Sequence, residues 1–394
     1  MDQIGSSTPR GTRALRGLRS WKLKALGIAA MAALAILVFV FKASPTMPDF
    51  EVFWRAGERA AAAEPLYRQE DGHYQFKYLP AFAILVISVG LVPRETAEAI
   101  WFAASVIALI VLLRLSLRLL PEQRKPVWML VAAAIVVLGK FYAHELVLGQ
   151  VNLLFAAVAT AAILALRMKR EALAGVLAGL AIVLKPYGVL LVPWLVARFG
   201  PRAMLGVGAT AVAAAVLPIA LYGVDGNVAL HREWLRTVVD TTAPNLLNVD
   251  NVSWPAMYSR WYGPGNAAAA LAAATAVAAL GLAAWMWRAG RYVAFPEGLE
   301  GALLLVLIPL ISPQGWDYVL LLSTAAVIYL ANYWDGLPGA LRPVTLAALA
   351  VIGLAIFDLM GRAAYAAFMR MSGITLCFFV VIAALAVLRQ RRIA

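Results

Sequence analysis

A single cysteine, Cys377, stands in the whole chain. It lies within an apolar run, so no intramolecular disulfide can form, and a zinc cluster is excluded. Acids are scarce as well: 21 Asp and Glu stand against 34 Lys and Arg, for a net charge of +13. No Walker A, GxGxxG or GxSxG stretch is present, so none of the soluble chemistries built on those loops competes. No clean internal repeat is visible. The basic excess does not mark a nucleic-acid binder. Lys and Arg cluster beside apolar runs, where positive-inside anchoring puts them.

What is abundant is apolar sequence. Of the 394 residues 63% are hydrophobic, with a mean hydropathy of +0.81. Repeated apolar runs bounded by charge or Pro/Gly imply an all-α polytopic membrane protein, because lipid offers backbone groups no partner outside the segment. Arg10, Arg13, Arg16, Arg19, Lys22 and Lys24 precede the run from about 25 to 41. A small-residue cleavage site is poorly formed at "FKASPT", so this run reads as a retained first span with residues 1–24 as a basic cytoplasmic tail.

Further candidate spans fall near 79–93, 97–117, 127–141, 146–166, 172–184, 188–198, 203–222, 266–289, 298–311, 316–333, 343–360 and 371–388. Several are shorter than the roughly 20 residues of a full crossing, which implies tilted, broken or re-entrant helices. Arg167, Lys169 and Arg170, then Arg198 and Arg202, Arg288 and Arg291, and finally Arg389, Arg391 and Arg392 mark the cytoplasmic side. Working back from them puts Gln150, Lys185, the 223–265 loop and "SPQGWD" outside. Parity then requires that one run between 79 and 141 is not a full span. The expectation is about 12 transmembrane helices within an integral domain at 25–388, a basic tail at 389–394, and both termini in the cytoplasm.

Polar chemistry collects in the outer segments. The first, about 42–78, holds Asp49, Glu51, Trp54, Arg55, Tyr67, His73, Lys77 and Tyr78; Phe50, Phe53, Trp54 and Gly57 outline an amphipathic helix in the interface. The second, 223–265, is too long and too aromatic for an idle linker. Each feature has a plainer reading. Asp49 is a possible helix cap, the tryptophans fit an ordinary aromatic belt, and the amides of "GQVN" fit interhelical bonding. Lys185 in "IVLKPYGVLL" resists this treatment, since Pro186 breaks the helix beside it and ionisable groups between membrane segments are usually functional.

A carboxylate, a lysine and amides at headgroup depth suit transfer of a group carried on a lipid phosphate. The carboxylate deprotonates an acceptor hydroxyl, and cations stabilise the departing phosphate. The Asp49/Glu51 pair alone is a weak case for a metal.

The combination of "PDFEVFWRAG…PLY" (48–67), "FKYLP" (76–80), "GQVN" (149–152), "LKPYG" (184–188), "NVSW" (251–254) and "SPQGWDY" (312–318) resembles glycosyltransferase family 87. The resemblance implies a GT-C fold and transfer of a hexose, mannose first, from a polyprenyl-phosphate sugar to a glycan or glycolipid acceptor at the outer face. It implies Asp49 as the base and brings Gln150, Asn152, Lys185, Asn251, Ser253, Ser312 and Asp317 into the pocket. Lys185 or Arg55, cations at headgroup depth, is expected to hold the donor phosphate; Glu51, Tyr78, Tyr187, Gln314 and Trp316 are further expected substrate-binding residues, and no cofactor or metal is expected. Mannosyltransferases of this kind often carry a His in or just after the "SP..W" stretch. Here Gln314 and Tyr318 stand there, and His144 takes that place only if the fold carries it over. From another class, a transporter or flippase of lipid-linked sugar also suits broken helices.

Overall fold

The structure, a computed structural model, describes residues 36–44, 47–290 and 293–393. The basic segment 1–24, most of the first apolar run and Arg291 lie outside the described residues. Among the described residues the regular elements are all helical, with one isolated antiparallel bridge between Asn251 and Trp316.

In chain order the helices that matter here are α1 (Pro48–Ala61), α2 (Arg94–Arg118), α3 (Val127–Leu148), α4 (Asn152–Arg167), α5 (Glu171–Leu184) and α6 (Pro201–Val216). They are followed by α7 (Ile219–Asn245), α8 (Trp254–Tyr262), α9 (Asn266–Ala289), α10 (Pro296–Ile311), α11 (Thr324–Asn332), α12 (Leu341–Leu354) and α13 (Gly373–Gln390). Four of them, α2, α3, α9 and α13, are long and apolar enough to cross a membrane, and α6 with α7, bent by 91° at their break, passes that test only as a pair, as a broken span or a re-entrant loop would. The other expected runs are shorter or broken.

Proline explains much of the breaking. The run at 79–93 forms only Pro80–Leu85 and Ile87–Gly90, two helices that together rise about 15 Å at 1.5 Å per residue. That is half a hydrocarbon core, so this run does not form a spanning helix. Packing holds it instead. α1 crosses the second piece so closely that a Cβ on Gly57 or Gly90 would strike the other's backbone. The 188–198 run likewise opens as a 3₁₀ turn, Pro186–Leu191, before Val192–Phe199. The 316–333 run opens as a 3₁₀ stretch, Asp317–Ser323, before α11. The 223–265 segment, expected as a loop with helical patches, is mostly α7 and α8.

α10 is the axis of the bundle, buried at every position except Glu297 and Ile311. Among lipid tails such a helix is held by close fit rather than by a hydrophobic drive. Polar ties fasten one end of the bundle. Arg167 donates to the carbonyls of Arg118 (2.6 Å) and Leu120 (3.1 Å), Arg198 to Glu297 (2.9 Å), and the Arg124 amide to Asn332 Oδ1 (2.7 Å). Arg389 belongs to this end as well. Instead of opening a tail, it is fully buried on α13 and donates to the Pro296 carbonyl at 2.7 Å. α3, α4 and α10 all run from here to the opposite end, where the polar motifs gather.

Candidate active site

At that opposite end α3 turns into α4 through "LGQVN". The turn needs a left-handed residue, and Gly149 supplies it with φ +69°. Glu145, one turn before the end of α3, is buried and points across the corner. Its carboxylate accepts from Asn152 Nδ2 (2.9 Å) and from the Leu153 amide (3.1 Å), satisfying an orphan donor at the start of α4. Asn152 is thereby fixed, and its Oδ1 accepts from the Tyr187 hydroxyl. Gln150, in the middle of the corner, is buried with its side chain turned toward Tyr78 and Lys185.

Lys185 is aimed by Pro186. A residue before proline is pushed out of the helical region, and Lys185 is extended (φ −149°, ψ 115°) at the end of α5. Its Nζ donates to the Tyr78 hydroxyl at 2.6 Å and to Gln150 Oε1 at 3.1 Å, and sits 4.5 Å from the Tyr78 ring centre. Tyr78 in turn donates to Gln150 Oε1 at 2.9 Å, and its carbonyl accepts from Tyr67 at 2.7 Å. One amide oxygen therefore gathers three motifs that are far apart in the chain.

Asp49 completes this wall from α1. It is not the cap of its helix. Met47 holds that position, Pro48 leads the helix, and Asp49 follows inside the first turn. Burial raises its carboxyl above the ordinary carboxylate value; the Gln150 side chain and the charges of Lys185, Lys77 and His73 pull the other way. Burial also lowers the Lys77 ammonium, with Asp49 opposing.

The facing wall joins "NVSW" to "SPQGWDY". The Val252 amide donates to the Gly315 carbonyl (2.7 Å), the Asp317 amide to the Asp250 carbonyl (2.9 Å), and Asn251 Nδ2 to the Pro313 carbonyl (2.8 Å). Ser253 caps α8, accepting from the Ala256 amide at 3.2 Å. Gln314 Nε2 donates to Thr242 on α7 at 2.8 Å, fastening this wall to the second outer segment.

Between the walls lies a cavity of about 440 Å³, within the usual range of about 300–1,000 Å³ for small-molecule sites. Asp49, Tyr78, Gln150, Lys185, Tyr187, Ser312, Gln314 and Trp316 all line it. Asn152, Asn251, Ser253 and Asp317 stand behind the lining and hold it in place. Glu51 and Arg55 are not among the lining residues. They pair with each other at 2.5 Å on the far side of α1, and Arg94 adds a second contact to Glu51 at 3.2 Å.

The cavity also takes in residues outside the expected site set: Lys77 and His73 of the first outer segment, and Thr242 and Asp250 of the second. His144 is the most instructive. It lines the cavity with Nδ1 3.2 Å from Asp317 Oδ1 and its ring edge-on to Tyr318 at 5.2 Å. The fold thus carries a histidine to the "SPQGWDY" stretch that lacks one. Asp250 faces the same corner; burial raises its carboxyl, Asp317 adds to the rise, and His144 opposes it. Among the described residues, no group of three or more His, Cys, Asp or Glu side chains is arranged to hold a metal.

A helical bundle with membrane-length helices and a polar cavity at one end fits a multi-pass membrane protein. The chain belongs to glycosyltransferase family 87, whose family model matches residues 76–313, so it is a glycosyltransferase. No curated protein and no solved structure matches it.

Proposed function

We propose that the protein moves a hexose, with mannose the first to test, from a polyprenyl-phosphate sugar onto a glycan or glycolipid acceptor at the outer face of the membrane. The observation that carries this reading is the meeting of Asp49, Gln150 and Lys185 in one cavity at the edge of the bundle. A GT-C fold of about twelve spans fits the broken and short helices. Arg124, Arg167, Arg198 and Arg389 tie the other end of the bundle, which in this reading faces the cytoplasm by the positive-inside rule and turns the cavity outward.

In this reading Asp49 accepts the proton of the acceptor hydroxyl as its oxygen attacks the anomeric carbon. The bond from that carbon to the phosphate oxygen breaks, and the polyprenyl phosphate leaves with the electron pair. One displacement inverts the anomeric centre. Lys185 holds the departing phosphate, with Lys77 and His144 as further cationic or hydrogen-bonding partners on the cavity wall. Arg55, outside the cavity and paired with Glu51, takes no part. Asp317 orients His144.

The test is donor choice. Purified protein in lipid nanodiscs is given labelled mannosyl phosphopolyprenol or labelled nucleotide sugar, with membrane glycolipid extract as acceptor. Transfer from the polyprenyl donor alone is the expected result. Transfer from the nucleotide sugar alone would overturn the reading.

A further inference from the structure

Beside the cavity lies a second, wider opening of about 860 Å³. One wall is a single face of α7, where Glu233, Arg236, Thr237, Asp240 and Thr241 recur at helical spacing. The other wall is the segment from Pro65 to Gly72. Two bonds fasten these walls at a fixed separation: Tyr222 donates to the Glu64 carbonyl at 2.9 Å and Trp234 to the Lys77 carbonyl at 3.2 Å. Gln75 lines both openings, and the consecutive Thr241 and Thr242 line one each. The groove therefore leads into the cavity that holds Asp49.

Its polar groups divide into two kinds. Asp71 and Arg68 are already engaged, by Arg59 and Glu64. Glu70, Glu233, Arg236 and Asp240 make no side-chain hydrogen bond or ion pair among the described residues. Thr237 lines the groove as well; the residue is only 9% exposed, and its hydroxyl, accessible from the groove, makes no hydrogen bond among the described residues.

We propose that this groove binds the uncharged saccharide part of the acceptor and leads its terminal hydroxyl to Asp49. The inference rests on the function proposed above and adds the acceptor's chemical class. Sugar hydroxyls both donate and accept. They match a wall that offers carboxylates as acceptors, a guanidinium as donor, and threonine hydroxyls as either. The free carboxylates outnumber the one free arginine, so a phosphate-bearing chain is repelled here while a neutral one is not.

The probes are neutral mannotriose and maltotriose and a phosphorylated maltotriose, each followed by saturation-transfer NMR on the full chain in nanodiscs. Wild type is expected to bind at least one neutral trisaccharide in preference to the phosphorylated one. Thr237→Val and Asp240→Asn, made separately so that a global folding defect is not mistaken for a local one, should each weaken that binding, Asp240→Asn by about tenfold, the scale of a lost charge-assisted hydrogen bond, and Thr237→Val by about fivefold, the scale of a lost neutral one. Asp49→Asn should keep it. The proposal is overturned if no neutral trisaccharide binds wild type, if both groove variants bind as wild type does, or if the phosphorylated sugar binds best. Transfer activity that persists in Asp49→Asn would sink the catalytic reading alone, because the binding readout does not depend on it.

Discussion

On the rim outside the cavity, two carboxylates are saturated by arginines. Glu51 meets Arg55 and Arg94, and Asp71 takes a bidentate hold from Arg59 at 2.5 and 2.8 Å. Two residues before Glu51, Asp49 faces an amide and two lysines and has no arginine partner among the described residues. The consequences are opposite in sign. The Arg59 hydrogen bond holds the Asp71 carboxyl below its ordinary value, whereas burial pushes Asp49 above it. A carboxylate locked in a guanidinium fork is a structural tie. One buried near ammoniums without such a fork keeps its lone pairs free for a proton, at a cost to the folded state.

The sharpest way to break this contrast is to neutralise each acid in turn. Asp49→Asn should lower the transfer rate by about 10²–10⁴-fold, the usual worth of a general base. Glu51→Gln should change it by less than about threefold, since that pair lies on the solvent side of α1. Radiolabelled transfer assays on the two purified variants decide the matter, and a shared modest defect would remove the distinction. Next in size is the cation. Lys185→Ala should reduce donor use by about tenfold to a hundredfold, as expected for a charge-assisted bond to phosphate. Lys185→Arg should restore part of it, because a planar fork replaces a point charge imperfectly. Donor kinetics unchanged in Lys185→Ala would make the lysine a purely structural member of the Tyr78–Gln150 network.

A smaller effect concerns pH. Asp49 works as a base only when ionised, and its carboxyl is raised. The acid limb of the rate profile should therefore sit above the ordinary carboxylate range. The Gln150 side chain opposes that rise. Gln150→Leu should then move the acid limb to higher pH, measured as the midpoint of kcat against pH; a shift downward would contradict the assigned contact.

How much of this was legible in the sequence depends on the range of the interaction. Class and family were readable because hydropathy and short motifs are local. Gln150 and Lys185 were readable as well, for the physical reason that a glycine turn and a Lys-Pro step declare themselves within a few residues. Glu145 has no such local sign, because its bond to the Leu153 amide at the start of α4 depends on how the corner folds. His144 and Asp250 meet only because "NVSW" and "SPQGWDY" bond to each other over 60 residues apart, as in Asn251 to Pro313. No pattern within either stretch encodes that. Arg55 shows the converse, since sequence adjacency to Asp49 says nothing about which face of α1 it occupies. The count of spans was blurred by proline and by 3₁₀ turns, which shorten helices without changing composition.

The smallest expected effect is on stability, and it tests the two regions by opposite signs. For Asp71 the folded carboxyl is lowered, so its pair with Arg59 contributes stability that is present above the unfolded value and is lost as pH falls through the folded one. Asp71→Asn should cost about 1 kcal/mol at neutral pH, a figure kept low because the pair is at the solvent rim and screened. The deficit should vanish in acid, where wild type has lost the same contribution. For Asp49 the folded carboxyl is raised, so its contribution is present below the unfolded value and is lost as pH rises through the folded one. At neutral pH wild type therefore carries a buried charge that Asp49→Asn removes. Asp49→Asn should then melt no lower than wild type, and slightly higher, while the Asp71 variant melts lower. Differential scanning fluorimetry in one detergent at neutral and acid pH reads both. If Asp49→Asn melts lower at neutral pH, Asp49 is a structural tie like Asp71, and the contrast between cavity and rim fails.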